Sequence, residues 1–231
     1  MINIKQIRYR KDNLGYVLYT KKEAIAIDPG NVEKILSFIK KHKLTLKMVT
    51  NTHSHFDHTI GNKAILKKVN AQFKTCKELV QDSYILLDGE KIEIIPTPGH
   101  TMDSICFKTD NFIVTGDTIF IANVGNASDL EIFWGSIQKL LALPDNLIIY
   151  PGHDYTERSI KRAMNLEPDN QNIIKFWNNY TSSLIYSTIG DEKKINPYIR
   201  SNTPVIKEYL KFKGMDTKDD FACFKSFMTL F

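Results

Sequence analysis

The stretch Thr50-Asn51-Thr52-His53-Ser54-His55-Phe56-Asp57-His58 constrains this chain more than any other, because it puts three imidazoles and a carboxylate within six positions, 53 to 58. Upstream, Leu44 to Thr50 has the β-branched and apolar content of a buried strand. Downstream, from Thr59 to Val69, apolar residues at 60, 64, 65 and 69 fall close to helical spacing. The cluster therefore reads as a strand-to-helix loop. Alternate residues of extended backbone point the same way, so His53 and His55 can aim at one point while Ser54 faces elsewhere. Asp57 and His58 lie where the chain turns into the helix and aim at a neighbouring point, which gives two adjacent metal positions. A lone histidine is usually a satisfied core residue. Several imidazoles and a carboxylate packed together without a cation, by contrast, would desolvate polar groups at a cost, and they are the ligands that suit zinc, iron and manganese.

After an opening hairpin, three further segments repeat the arrangement of a polar motif just past an apolar strand. Ala24 to Ile27, paired as a hairpin with Tyr16 to Thr20, ends at Asp28-Pro29-Gly30. Lys91 to Ile95 runs into Pro98-Gly99-His100-Thr101, Phe112 to Thr115 into Gly116-Asp117-Thr118, and Leu147 to Tyr150 into Gly152-His153-Asp154-Tyr155. Loops held at strand ends by a rigid sheet are where sites are built. Between these segments, Asn31 is a candidate N-cap for a helix with apolar residues at 32, 35, 36 and 39. Asp88-Gly89 is a turn that the segments 71–73 and 91–95 bracket. From Thr156 onward the strand pattern stops and apolar residues recur at helical spacing, with breaks at Glu167-Pro168-Asp169-Asn170 and Asn196-Pro197-Tyr198 and amphipathic helices over 205–210 and 221–231. The domain expectation is a catalytic domain over 1–155 and a small all-helical domain over 156–231.

The strand-end donors number seven: His53, His55, Asp57, His58, His100, Asp117 and His153. Seven ligands exceed what one ion of four to six coordination takes up. Long gaps and the lack of cysteine ligands favour an open catalytic site over a closed structural one. The three cysteines are far apart and odd in number, which reads as reduced thiols in a cytoplasmic protein. The opening segment lacks the apolar run of a signal peptide or a membrane span. The net charge of +5 favours an anionic substrate. No Arg-rich, aromatic-interleaved patch points to nucleic acid.

On Thr52-His53-Ser54-His55-Phe56-Asp57-His58 the chain resembles the metallo-β-lactamase superfamily through its T-H-x-H-x-D-H motif. Through Pro98-Gly99-His100-Thr101, Gly116-Asp117-Thr118-Ile119-Phe120, Gly152-His153-Asp154-Tyr155-Thr156 and Asn196-Pro197-Tyr198-Ile199-Arg200 it is most similar to the glyoxalase II family, the hydroxyacylglutathione hydrolases. The resemblance implies an α/β fold, a four-layer αβ/βα sandwich with a small C-terminal helical domain. It also implies two divalent ions, zinc or else iron or manganese, with His53, His55 and His100 on the first, Asp57, His58 and His153 on the second, and Asp117 bridging. It carries glutathione contacts over to Tyr155 and Arg200, both above the metals, and this chain departs from it after Val124-Gly125, where the family usually has a Lys or Arg that grips glutathione, by having Asn126 and then an extended Ala127 to Glu131. The activity implied is hydrolysis of S-lactoylglutathione, or a related 2-hydroxyacyl thioester, to D-lactate and glutathione. A hydroxide between the two ions would be the nucleophile, with Asp57 orienting it, and thiolates, of pKa about 8.5, leave without a strong acid. Alternatives are a single-iron persulfide dioxygenase, which Asn196 to Arg200 argues against, a lactone or ester hydrolase, and a metal-free binding module. A small-molecule thioester is the expected partner, with neither nucleic acid nor membrane, for a monomer or weak oligomer.

Overall fold

The computed structural model describes all residues, 1–231. The first sheet is built in chain order from β1 (Asn3–Tyr9), β2 (Asn13–Tyr19), β3 (Glu23–Ile27), β4 (Thr45–Thr50) and β5 (Gln72–Phe73). Its first three strands are antiparallel, and β4 and β5 add in parallel. Four helices interrupt or follow these strands: α1 (Val32–Lys41), α2 (Phe56–Thr59), α3 (Asn62–Leu66) and α4 (Cys76–Asp82). The second sheet collects β6 (Tyr84–Leu87), β7 (Glu90–Pro96), β8 (Ile105–Lys108) and β9 (Phe112–Gly116) as an antiparallel run. A two-residue hairpin pair, β10 (Ile119–Phe120) and β11 (Asn123–Val124), and helix α5 (Leu130–Leu141) follow. Next, β12 (Ile148–Pro151) joins β9 in parallel. The remainder is α6 (Thr156–Leu166), α7 (Gln171–Asn179), β13 (Ser187–Thr188), α8 (Ile189–Ile195), α9 (Pro204–Phe212) and α10 (Asp220–Leu230).

Side-chain alternation along the strands produces the layers. In β2 and β3, Leu14, Tyr16, Leu18, Ile25 and Ile27 face inward and meet Ile92, Ile94, Phe107 and Val114 of the second sheet in the central core. Their neighbours Val17, Ala24 and Ala26 face outward, where Ile35 and Ile39 of α1 and Ile65 of α3 cover them. The second sheet repeats the pattern, with Cys106, Ile113 and Ile149 packing under Leu140 of α5 and Ile189 of α8. The result is helix, sheet, sheet, helix. A separate cluster joins Val124 and Phe133 to Ile206, Leu210, Phe224 and Phe227 of the last two helices.

Several expectations change in detail. The helix expected from Thr59 to Val69 is shorter: α2 ends at Thr59 and α3 spans Asn62–Leu66, with Gly61 between them lying so close to the Pro29 carbonyl that a Cβ there would sit 1.7 Å from its oxygen. The Asp88-Gly89 turn joins β7 to β6, not to the segment 71–73, which instead extends the first sheet as β5. Tyr84 and Leu86 are exposed in β6, so that strand lacks the polar outer face that alternation needs to be read. The stretch 127–131 turns into α5, with Asp129 capping it by accepting from the amides of Glu131 and Ile132. The chain after 155 is helical apart from β13, which returns to pair with β12, and Ile160, Ala163, Ile173 and Ile195 pack into the central core.

Glu192 of α8 binds the β10–β11 loop, which borders the site, to this core. Its Oε2 accepts from the amide of Ala122 at 3.0 Å and from Asn196 Nδ2 at 2.8 Å. Burial pushes its carboxyl up to about 8, against the lowering effect of those hydrogen bonds. The neutral form therefore favours the fold below about pH 4.5, and that stability is lost as pH rises through 8. Glu192→Gln should melt at least on the order of 4 °C above the parent at pH 9, and the gap should close at pH 5; thermal scans at both values check it.

Candidate metal centre

All seven strand-end donors converge on the rim where the two sheets' loops meet. His53 and His55 follow β4, and Asp57 and His58 lie in α2. His100 follows β7, Asp117 follows β9 and His153 follows β12. Their ligand atoms form three overlapping groups: His53, His55 and His100; His53, His58 and Asp117; Asp57, His58 and His153. In the first, His55 Nδ1 lies 3.0 Å from both His53 Nε2 and His100 Nε2. In the last, His58 Nε2 and His153 Nε2 are 3.1 Å apart, and Asp57 Oδ2 lies 3.7 and 3.4 Å from them. Asp117 spans the two, with Oδ1 3.4 Å from His58 Nε2 and Oδ2 3.6 Å from His100 Nε2 and 3.4 Å from His153 Nε2. Metal–nitrogen bonds of about 2.0–2.1 Å in a tetrahedron imply ligand edges of about 3.3 Å, which is this spacing.

The chain also fixes which ring nitrogens carry lone pairs. His58 Nδ1 donates to Asp28 Oδ2 at 2.9 Å, His153 Nδ1 to Asp12 Oδ1 at 3.0 Å, and His100 Nδ1 to the Asn126 carbonyl at 2.6 Å. Thr52 Oγ1 spends its proton on Asp28 Oδ2 and so accepts from His53 Nδ1 at 3.0 Å. Four Nε2 atoms are thereby left as bare acceptors aimed inward, the arrangement of oriented metal-binding imidazoles. Asn13 Nδ2 donates to Asp57 Oδ2 at 2.8 Å. Two glycines allow the approach. Gly116 holds φ of +52° against Thr52, and a Cβ on Gly152 would lie 2.2 Å from Asp117 Oδ1.

Electrostatics agree with a cation. Asp117 Oδ1 is buried with no hydrogen-bond partner. Burial opposes ionisation of Asp117, but His153 and His58 hold its carboxyl well below the usual range. Burial lowers His53 to about 4 and lowers His100 as well. Burial also opposes charge on His58 and His153, yet Asp28 and Asp117 raise the former and Asp117 and Asp12 the latter. A divalent cation can take the place of the protons those two rings would otherwise hold. The residues present therefore fit a metal on both sides of Asp117.

A cleft of about 300 Å³ opens onto His100 and Asp117. Phe120, Val124, Tyr198 and Met228 form its apolar walls, with Tyr155, Arg158 and Arg162 above. Tyr155 stacks on His153 with ring centroids 5.0 Å apart, and burial pushes its phenol up to about 12. The two residues expected over the metals therefore part ways. Arg200 does not line this cleft. Its Nε and Nη2 reach both oxygens of buried Glu167, at 3.0 and 2.6 Å, on a surface formed by 167–170 and Val205. Asp12, Asn13 and Asp28 escaped the sequence reading, because single polar residues in turns have no spacing signal. The one available cue was that Asp28 ends an apolar strand, as the ligands do.

A profile described as metallo-beta-lactamase superfamily matches residues 12–82 and 72–153, and one described as hydroxyacylglutathione hydrolase C-terminus matches 154–228. A hydroxyacylglutathione hydrolase of Pseudoalteromonas translucida is 34% identical over 91% of this chain and 90% of its own length. One from Buchnera aphidicola is 31% identical, covering 87% of each. The ETHE1 crystal structure from Myxococcus xanthus superposes with a TM-score of 0.68 at 19% identity, over 96% of this chain and 99% of that one, which is likeness of fold. Removing the Arg200 side chain leaves the Glu167 carboxylate buried and unpaired, so Arg200→Ala should lower unfolding stability by about 3 kcal/mol, read from urea midpoints.

Proposed function

Since the chain belongs to the metallo-beta-lactamase superfamily and, within it, to the hydroxyacylglutathione hydrolases, we propose that it hydrolyses S-lactoylglutathione or a closely related 2-hydroxyacyl glutathione thioester. The observation that carries this reading is the cleft, which brings Tyr155 and two guanidinium groups to the edge of a seven-donor centre. His53, His55 and His100 would hold one divalent ion, Asp57, His58 and His153 a second, and Asp117 would contact both. Zinc is the proposed metal, since imidazole and carboxylate donors without thiolates suit it, with iron and manganese sharing that preference. Divalent ions at such a site supply Lewis acidity toward a carbonyl and bring the pKa of water down to about 7.

The chain's own residues then position the substrate. Phe120, Val124 and Met228 keep bulk water from the acyl group. Tyr155, held neutral and fixed between His153 and the edge of Phe120, presents a hydroxyl donor to the thioester's peptide half. Asp57, held by Asn13 and only partly buried, is placed to accept a hydrogen bond from attacking water. The departing thiolate needs no strong acid, which accords with the lack of an uncommitted carboxylic acid in the cleft lining. The substrate is a free small molecule, and three buried, free cysteines suit a reducing cytoplasm.

The test is release of free thiol and D-lactate from S-lactoylglutathione by metal-loaded protein. Turnover that disappears with chelation and returns with added zinc is the expected result. No thiol release, together with oxygen uptake on a glutathione persulfide or ring opening of a lactone, would replace this reading.

A further inference from the structure

The cleft's charge is concentrated in one place. Arg158 and Arg162 are one turn apart on α6, so both project from the same face, and they are the only Lys or Arg residues lining the cleft. The Arg158 guanidinium lies 4.1 Å from the centroid of the Tyr155 ring. Arg162 donates to the Tyr198 hydroxyl at 2.5 Å and lies 4.9 Å from the Phe231 ring centroid. Aromatic faces thus fix both groups, and neither has a carboxylate within ion-pair distance. Their neighbours differ: Arg8 pairs with Asp154, Lys161 with Glu157, and Arg200 with Glu167. Across the cleft, Asn126 is uncharged and gives its carbonyl to His100.

We propose that Arg158 and Arg162 form the anion-recognising subsite of this enzyme, taking a carboxylate on the thiol half of the substrate and so setting its preference for peptide thioesters. The inference rests on the thioesterase reading above and adds which residues select the leaving group. Stacking leaves the N–H edge of Arg158 free, and that planar edge matches a carboxylate with two parallel hydrogen bonds, while Arg162 keeps the donors it does not spend on Tyr198. Preorganised stacking reduces the side-chain entropy lost on binding.

The experiment compares kcat/KM for S-lactoylglutathione and for the neutral S-lactoyl-N-acetylcysteamine in wild type, Arg158→Ala, Arg162→Ala and the double variant, at matched metal content. The ratio between the two substrates should fall roughly ten- to hundredfold in the double variant, mainly through KM for the glutathione thioester, with Arg158→Lys recovering part of the loss. An unchanged ratio would overturn the subsite, whatever the absolute rates. Because Arg162 is partly packed, the exposed Arg158 alone must shift the ratio in the same direction. If wild type hydrolyses neither substrate, the thioesterase reading fails, and calorimetric titration with S-methylglutathione still decides the subsite. At least tenfold weaker binding in the double variant supports it. Equal binding, or none to wild type, refutes it.

Discussion

The carboxylate of Asp28 holds the ligand loop in place. It is fully buried, at positive φ (51°), where β3 ends. Its oxygens accept from the Thr52 amide at 2.8 Å, the Thr52 hydroxyl at 2.8 Å and His58 Nδ1 at 2.9 Å. A buried carboxylate with fewer partners would carry an unrepaid desolvation penalty, so the contacts are mutually enforcing. Through Thr52 the same carboxylate reaches His53, and through His58 it reaches the second donor group. One side chain at the end of the preceding strand thus sets the orientation of candidate donors in both halves of the centre, as hydrogen-bonded carboxylates behind metal-bound histidines do elsewhere.

The sandwich makes such convergence possible. Each sheet is rigid because its inner face interdigitates with the other sheet and its outer face lies under helices. β4 of the first sheet and β7, β9 and β12 of the second all release their loops at the same rim, so residues as distant as 58 and 153 come within bonding range of a common point. The segment after β12 does double duty. Its first helix starts at the last ligand loop and lays Tyr155, Arg158 and Arg162 beside the centre, while its apolar face closes the core. The helix that closes the core therefore also lines the cleft.

The donors were legible because each lies in a short polar motif directly after an apolar run, a local pattern that survives without coordinates. The layered architecture came from the family resemblance that those motifs carry rather than from periodicity, and β6 and the break at Gly61 were not legible, since exposed Tyr84 and Leu86 blur alternation and a backbone contact with Pro29 leaves no periodic trace. Arg200 illustrates the harder limit. Its motif is readable, but its partner Glu167 is 33 positions away and captures both ends of the guanidinium. Arg158 and Arg162 were invisible for the converse reason: an arginine pair four apart on a helix resembles any solvated face until the absence of partnering carboxylates and the position of the cleft are known.

The central claim is that the seven donors make two adjoining ion sites joined by Asp117. Titration of demetallated protein with zinc, with bound metal counted by elemental analysis, tests it most directly. The account predicts close to two ions per chain in the parent and a loss of affinity at both positions in Asp117→Ala. A single ion per chain, held equally well after replacement of Asp57 or His153, would contradict it.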